Sequence, residues 1–227
     1  QHLSAAGSVQ LLREARRRGV PISGEACPHH FTLTDLAVAG SDAFWAQDGQ
    51  ALYPGVPVAE LPRWPSYDTH CKMNPPLRGA ADREAILAGL ADGTIEVLAS
   101  DHAPHCNYQK EVEFDHAPFG ITGLETELAL SLMQLVHTGR LSLAAVIEKF
   151  TTHPARLLRL SGKGTLAPGS DGDITVLDPD RRWVWEPAQT ASRATNSPFY
   201  GWPLRGRAVA TIVAGRCVWQ DPTLAGG

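Results

Sequence analysis

A chain of 227 residues with 43% hydrophobic and 19% charged side chains has the make-up of a folded globular protein. Its formal net charge of −4 gives no basic field for a nucleic-acid polyanion, and no apolar run is long enough to span a bilayer. Cys27, Cys71, Cys106 and Cys217 show neither Cys-x-x-Cys spacing nor the density of a secreted disulfide scaffold, so reduced thiols are expected.

Ser4 to Arg18 carries Val9, Leu11, Leu12 and Ala15 at helical spacing and closes in Arg16-Arg17-Arg18-Gly19, cations and a glycine suited to a helix C-terminus. Val20 to Ala26 alternates enough for a short strand, and Thr34 to Ala39 suits one or two helical turns. Helix followed by strand is the grammar of a parallel α/β fold. From Gly40 to Tyr67 the composition shifts to Gly, Pro, Trp, Asp and Ala with no sustained period, a loop of the length that is functional or disordered. Ala80 to Leu90 predicts a helix and Ile95 to Ser100 a strand. Leu124 to His137, Leu143 to Phe150 and Pro154 to Leu160 predict three more helices. From Ser161 the pattern becomes short strands and turns: Asp173 to Leu177, Trp183 to Trp185 and Arg207 to Trp219, with turns at Gly172-Asp173 and Ala214-Gly215.

The most informative stretch is Val97-Leu98-Ala99-Ser100-Asp101-His102-Ala103-Pro104-His105, where an apolar strand ends abruptly in an acid and two imidazoles. Strand C-termini are where parallel α/β enzymes place reacting groups, so Asp101 reads as chemistry. A helix N-cap would account for the Asp but not for its His neighbours.

Four segments occur in order: Pro28-His29-His30-Phe31-Thr32-Leu33-Thr34-Asp35, Lys72-Met73-Asn74-Pro75-Pro76-Leu77-Arg78, Asp101-His102-Ala103-Pro104-His105, and Pro118-Phe119-Gly120-Ile121-Thr122-Gly123-Leu124-Glu125-Thr126. Together they resemble the dihydroorotases, zinc amidohydrolases of pyrimidine synthesis, from Gln1 to about Asp221. That family opens with a His-x-His-x-Arg motif after its first barrel strand and later supplies a carboxylated Lys or an Asp that bridges the metals. Neither precedes Gln1, so the resemblance is to the C-terminal half of the enzyme, and the expectation is a fragment inactive alone. The fold implied is α/β, with residues 1–160 as the C-terminal part of a TIM-like (β/α)₈ barrel interrupted by a long loop insertion at about 40–67. Residues 161–227 would be the C-terminal part of a small β-sandwich domain. A complete barrel alone takes about 250 residues.

The resemblance also implies a site. His2 stands where the family's His-x-Ser segment provides a metal ligand, and Asp101 matches the Asp that touches the first metal and shuttles the proton, which makes it both ligand and catalytic residue. The implied cofactor is Zn²⁺, two ions per complete site, because amides resist neutral water and a metal-held water is acidic enough to attack them. Asn74 and His105 match positions that hold the substrate carboxylate. The backbones around Ala103, Pro118 and Gly120 match those that meet the ring. Glu25 matches a position that holds an additional zinc in some relatives, although a strand Glu can equally be paired with an Arg. His29 and His30 read as shaping the rim, with His30 a candidate to orient a ligand.

Implied with this are the substrate pair dihydroorotate and N-carbamoyl-L-aspartate, a cytoplasmic location, and assembly with a second copy or with aspartate transcarbamoylase. No nucleic acid or membrane partner is implied. Two alternatives stand beside this reading: an allantoinase or hydantoinase type of cyclic amidohydrolase, and an inactive scaffold for aspartate transcarbamoylase. Retention of His2 and Asp101 argues against the scaffold. The 40–67 segment is expected to form a lid or an interface element anchored by Phe44, Trp45, Tyr53 and Trp64, or else a solvated insertion.

Overall fold

The computed structural model describes residues 1–224. Helix α1 (Ala6–Arg17) packs Val9 and Leu12 inward and ends in Arg16 and Arg17, with Gly19 at φ 75° just beyond. Strand β1 (Glu25–Ala26) is shorter than the alternation over Val20–Ala26 predicts. Arg18 to Ile22 is exposed or half-buried and has no ladder partner, so its side-chain pattern lacks a neighbour to pair with. Three short helices follow, α2 (Pro28–Thr32), α3 (Leu36–Ala39) and α4 (Ser41–Phe44). Helix α5 (Ala80–Ala91) leads into β2 (Val97–Leu98), which pairs in parallel with β1 in the register Glu25↔Val97 and Ala26↔Leu98. Leu3 donates its amide to Glu25 O at 2.9 Å, which sets the chain around His2 along the other edge of β1. A parallel bridge between His102 and Ile121 continues the array on the far side. Three chain segments thus deliver His2, Glu25 and Asp101 to one rim.

Helix α6 (Asn107–Lys110) follows Asp101 within the rim loops. The apolar run from Leu124 winds as α7 (Glu127–Ser131) and then as a π-helical turn over Leu132–Val136. Helices α8 (Leu143–Phe150) and α9 (Thr152–Leu157) close the helical part. The last region is one antiparallel sheet of three strands in the order β3-β4-β5. Here the expected boundaries change. The separate strands at Asp173–Leu177 and Trp183–Trp185 merge into one bulged strand, β3 (Ile174–Val184), because β4 (Pro203–Val213) is long enough to pair with both ends of it. The expected Arg207–Trp219 strand is instead β4 and β5 (Arg216–Gln220), folded back at Ala214-Gly215, where both residues have positive φ. Residues 225–227 of the expected small domain lie outside the described residues.

Two apolar cores hold these parts together. One joins Val9 and Leu12 of α1, Ile86 and Leu90 of α5, Ala26, Leu98 and Val146. The other is built around the 40–67 segment, and it corrects two expectations. The segment is not structureless: α4 runs into a π-helical turn over Trp45–Gly49 and 3₁₀ turns over Gln50–Leu52 and Val58–Glu60. Its aromatics do not face outward as lid or partner anchors either. Phe44 and Trp45 are fully buried and Tyr53 nearly so, packed with Trp202, Phe199 and Leu204. Trp45 lies 4.9 Å from Trp202, and Trp64 stacks on Trp202 at 6.1 Å. Trp45 Nε1 donates to Pro62 O at 2.7 Å and Tyr53 Oη to Pro203 O at 2.9 Å, so the polar ends of these rings are satisfied as burial requires. The segment is a wedge that welds the helical part to the β3–β5 sheet.

Candidate active site

His2 and Asp101 meet at the rim. His2 Nε2 lies 3.7 Å from Asp101 Oδ1, and both side chains are about 30% exposed. Both residues have left-handed backbone, φ 54° for His2 and φ 48° for Asp101, a conformation that costs a side-chain-bearing residue about 1–2 kcal/mol. Such strain persists where the surroundings demand a particular direction of the side chain.

Glu25 settles the role of the other His2 nitrogen. Its carboxylate stands 2.9 Å from His2 Nδ1 and also accepts the His2 amide at 3.3 Å. An Nδ1–H held by a carboxylate leaves Nε2 as the free lone pair, aimed at the Asp101 side. Glu25 is therefore paired with His2, and no Arg takes its carboxylate among the described residues. Cys27 Sγ comes within 3.4 Å of the same Nδ1. Burial, and then the charges of Asp101, Glu25 and Glu127, push the Cys27 thiol far up. Two carboxylates, Glu25 and Asp101, thus flank the half-buried His2 ring. A negative field with an imidazole lone pair and a carboxylate oxygen side by side suits a borderline cation such as zinc. His2 and Asp101 make two protein ligands, fewer than the three a catalytic zinc takes, so they fit part of a metal site.

His29 and His30 are both buried behind the rim. Burial holds His29 well below the ordinary imidazole range, and burial also lowers His30. His30 Nε2 donates to Pro75 O at 2.8 Å, which braces the Asn74-Pro75 turn as a rim-shaping residue would. Cys27, His29 and His30 bring ligand atoms within 4.8 Å of one another, with His30 Nε2 engaged by the Pro75 carbonyl. His102 Nδ1 accepts from the amide of Gly123 at 3.1 Å and so anchors the loop after the Asp.

The sequence-predicted substrate positions are brought together. His105 Nε2 donates to Phe119 O at 3.0 Å. The Ala103 amide donates to Ile121 O at 2.7 Å and the Gly120 amide to Lys72 O at 2.9 Å. Neither N–H is left for a ligand, so a ligand at Ala103 and Gly120 has only their carbonyls to meet. A Cβ on Gly120 would come within 2.6 Å of Ala103 Cβ, and its φ of 109° excludes other residues as well. Pro118 O accepts from the Nζ of buried Lys110 at 2.8 Å, which also donates to Thr69 O at 2.9 Å. Lys72 Nζ donates to Asp115 O and Ala117 O, tying the same loop a second time. Asn74 carries no side-chain hydrogen bond to another described residue and lies exposed beside this loop.

Sequence reasoning missed Asn196. It is 1% exposed and reaches in from the segment before β4, yet its side chain joins Ala103, His105 and Gly120. Nothing in its neighbourhood in the chain marks it, since its partners lie 76 to 93 residues away. A cavity of about 740 Å³ lies elsewhere, between the wedge segment, α5 and the β3–β4 pair, lined by Tyr53, Arg83, Met133 and Trp183 among others.

The model of the amidohydrolase family matches residues 1–218. A dihydroorotase of Pelotomaculum thermopropionicum is 48% identical over 220 residues, covering 97% of this chain and 45% of the relative. A dihydroorotase of Syntrophus aciditrophicus is 43% identical with the same coverage. The chain spans about half the length of the curated relatives it matches. Among solved structures, the L-hydantoinase (dihydropyrimidinase) of Arthrobacter aurescens superposes with a TM-score of 0.77 at 30% identity, over 96% of this chain and 44% of that one. A D-hydantoinase (dihydropyrimidinase) of a Thermus species superposes with a TM-score of 0.76 at 27% identity, over 97% of this chain and 44% of the other.

Proposed function

The chain belongs to the amidohydrolase family, and from that premise we propose that it carries the C-terminal portion of a dihydroorotase, the zinc enzyme that interconverts dihydroorotate and N-carbamoyl-L-aspartate in the cytoplasmic synthesis of pyrimidines. The observation that carries this reading is His2 Nε2 set 3.7 Å from Asp101 Oδ1 with Glu25 on the opposite ring nitrogen. In the same reading residues 1–160 are part of a (β/α)₈ barrel and the region from 161 onward is part of a small β-sandwich.

His2 and Asp101 would hold zinc, which when bound makes water acidic enough to attack an amide at neutral pH. Glu25 orients His2 through its contact with Nδ1. Asp101 accepts a proton from the attacking water and returns it to the departing ring nitrogen, a transfer within reach of a positioned carboxylate. At the far end, the Asn74 amide donates to the substrate carboxylate beside His105, whose Nε2 N–H is held by Phe119 O. The Ala103 and Gly120 carbonyls accept the ring N–H groups, since their own N–H groups are spent within the fold.

A hydantoinase-type activity is the second reading, favoured by the solved structures that superpose on the chain. The two differ in whether a substrate carboxylate matters. Steady-state rates of the zinc-loaded full-length protein with dihydroorotate and with dihydrouracil, which lacks the carboxylate, decide between them. We expect dihydroorotate to be preferred by at least about 100-fold in kcat/KM, the loss caused by leaving donors that serve the carboxylate unpaired. Equal or reversed preference overturns the assignment.

A further inference from the structure

The Asn196 side chain uses three of its hydrogen-bonding positions on the proposed substrate loops. Its Nδ2 donates to Ala103 O at 2.9 Å and to Gly120 O at 3.2 Å, and its Oδ1 accepts the His105 amide at 3.0 Å. The Asn196 carbonyl accepts the amide of Thr122 at 2.9 Å, so the same residue grips the far end of the second loop. An amide has two N–H donors on one atom. Here both are committed to carbonyls on two different loops, which fixes the gap between them. Each of those carbonyls keeps a second lone pair.

We infer that Asn196 is a positioning residue of the active site, holding the Ala103 and Gly120 carbonyls and the His105 backbone at the spacing that accepts a cyclic ureide with two ring N–H donors. The inference rests on the dihydroorotase reading for the identity of the ligand, while the positioning itself is a property of the fold. Asn196 touches neither the proposed metal ligands nor the carboxylate of a bound substrate; it works through the loops. An aliphatic residue of the same size would pack equally well but would leave two carbonyls and one amide buried without this partner.

Replacement of Asn196 by Asp tests it, because the shape is kept while two donors become acceptors that face two carbonyls. A buried carboxyl in that position is driven toward its protonated form, and protonation restores one donor. In the full-length zinc-loaded protein, Asn196→Asp should lower kcat/KM for dihydroorotate at least about 100-fold at pH 8 and less than about 10-fold at pH 6. Asn196→Ala should be equally impaired across that range. Zinc content should match wild type in both, and amide hydrogen exchange at His105 should be at least about 10-fold faster in Asn196→Ala. Wild-type kcat/KM in the Asp variant at both pH values, or pH-independent loss identical in the two variants, overturns the inference. A wild-type protein that does not turn over dihydroorotate refutes the functional reading instead, and exchange at His105 then decides the positioning role: unchanged protection in Asn196→Ala refutes it.

Discussion

Glu25 and Asp101 both stand beside His2, and they are expected to fail in different ways. Glu25 contacts Nδ1 at 2.9 Å and sets which nitrogen is free, whereas Asp101 faces that nitrogen from 3.7 Å. Loss of a group that orients a ligand costs about 10–100-fold in metal affinity. Loss of a proton carrier costs about 10²–10⁴-fold in rate. Glu25→Gln in the full-length protein should therefore release zinc more readily and recover most of its rate when zinc is added in excess. Asp101→Asn should stay slow at every zinc concentration. Zinc titration of the rate, with bound metal measured in parallel, separates the two. A Glu25→Gln enzyme that binds zinc like wild type would show that the His2–Glu25 pair has no role in orientation. The left-handed backbone of His2 and Asp101 belongs to the same picture, since strain at two neighbouring polar residues is hard to attribute to packing.

Helix α7 brings in Glu127, which burial raises to about 7 from an ordinary value near 4.5. The folded state therefore binds more protons than the unfolded chain between these values, and stability falls as pH rises through that window. Glu127→Gln removes the titration. In urea unfolding the variant should be more stable than wild type at pH 8, by about 1–2 kcal/mol, and closely similar at pH 5. Equal stabilities at both pH values would mean that Glu127 is solvated or paired in solution. At this scale the sequence was a good guide to helices whose apolar faces repeat, such as α1, α5 and α8, because their own pattern decides them. It was a poor guide where a partner decides. Strands β1 and β2 shrink to residues with a neighbour, and β3 runs long because β4 does. The wedge segment lacks any period because its aromatics meet Trp202 and Phe199 from another part of the chain, each in its own direction. His2, Asp101, His105 and Gly120 were legible from ordered motifs, while Asn196 became visible only through partners far away in the chain.

For the molecule as a whole, the ligand count sets the outcome. In the proposed site His2 and Asp101 are the two protein ligands, and Glu25, the carboxylate nearest His2, is paired with its Nδ1. Burial and the carboxylates around it push the Cys27 thiol up in the metal-free chain. Two ligands hold zinc weakly and do not fix its geometry, so a polypeptide of these 227 residues by itself is expected to show no dihydroorotate turnover even with zinc in excess. Its surface points the same way. Strand β5 is an edge of its sheet and carries Val218 and Trp219 at 60% and 41% exposure, an open edge that favours self-association. The decisive comparison sets the wild-type chain against its Asp101→Asn variant, both freed of aggregate by gel filtration and assayed at the same zinc concentration. Rates equal within error bear out the ligand count. A wild-type rate above the variant would mean that this rim completes a working metal site with its own groups, and Glu127, already on the acid-rich side of Cys27, would be the first residue to test as the additional ligand.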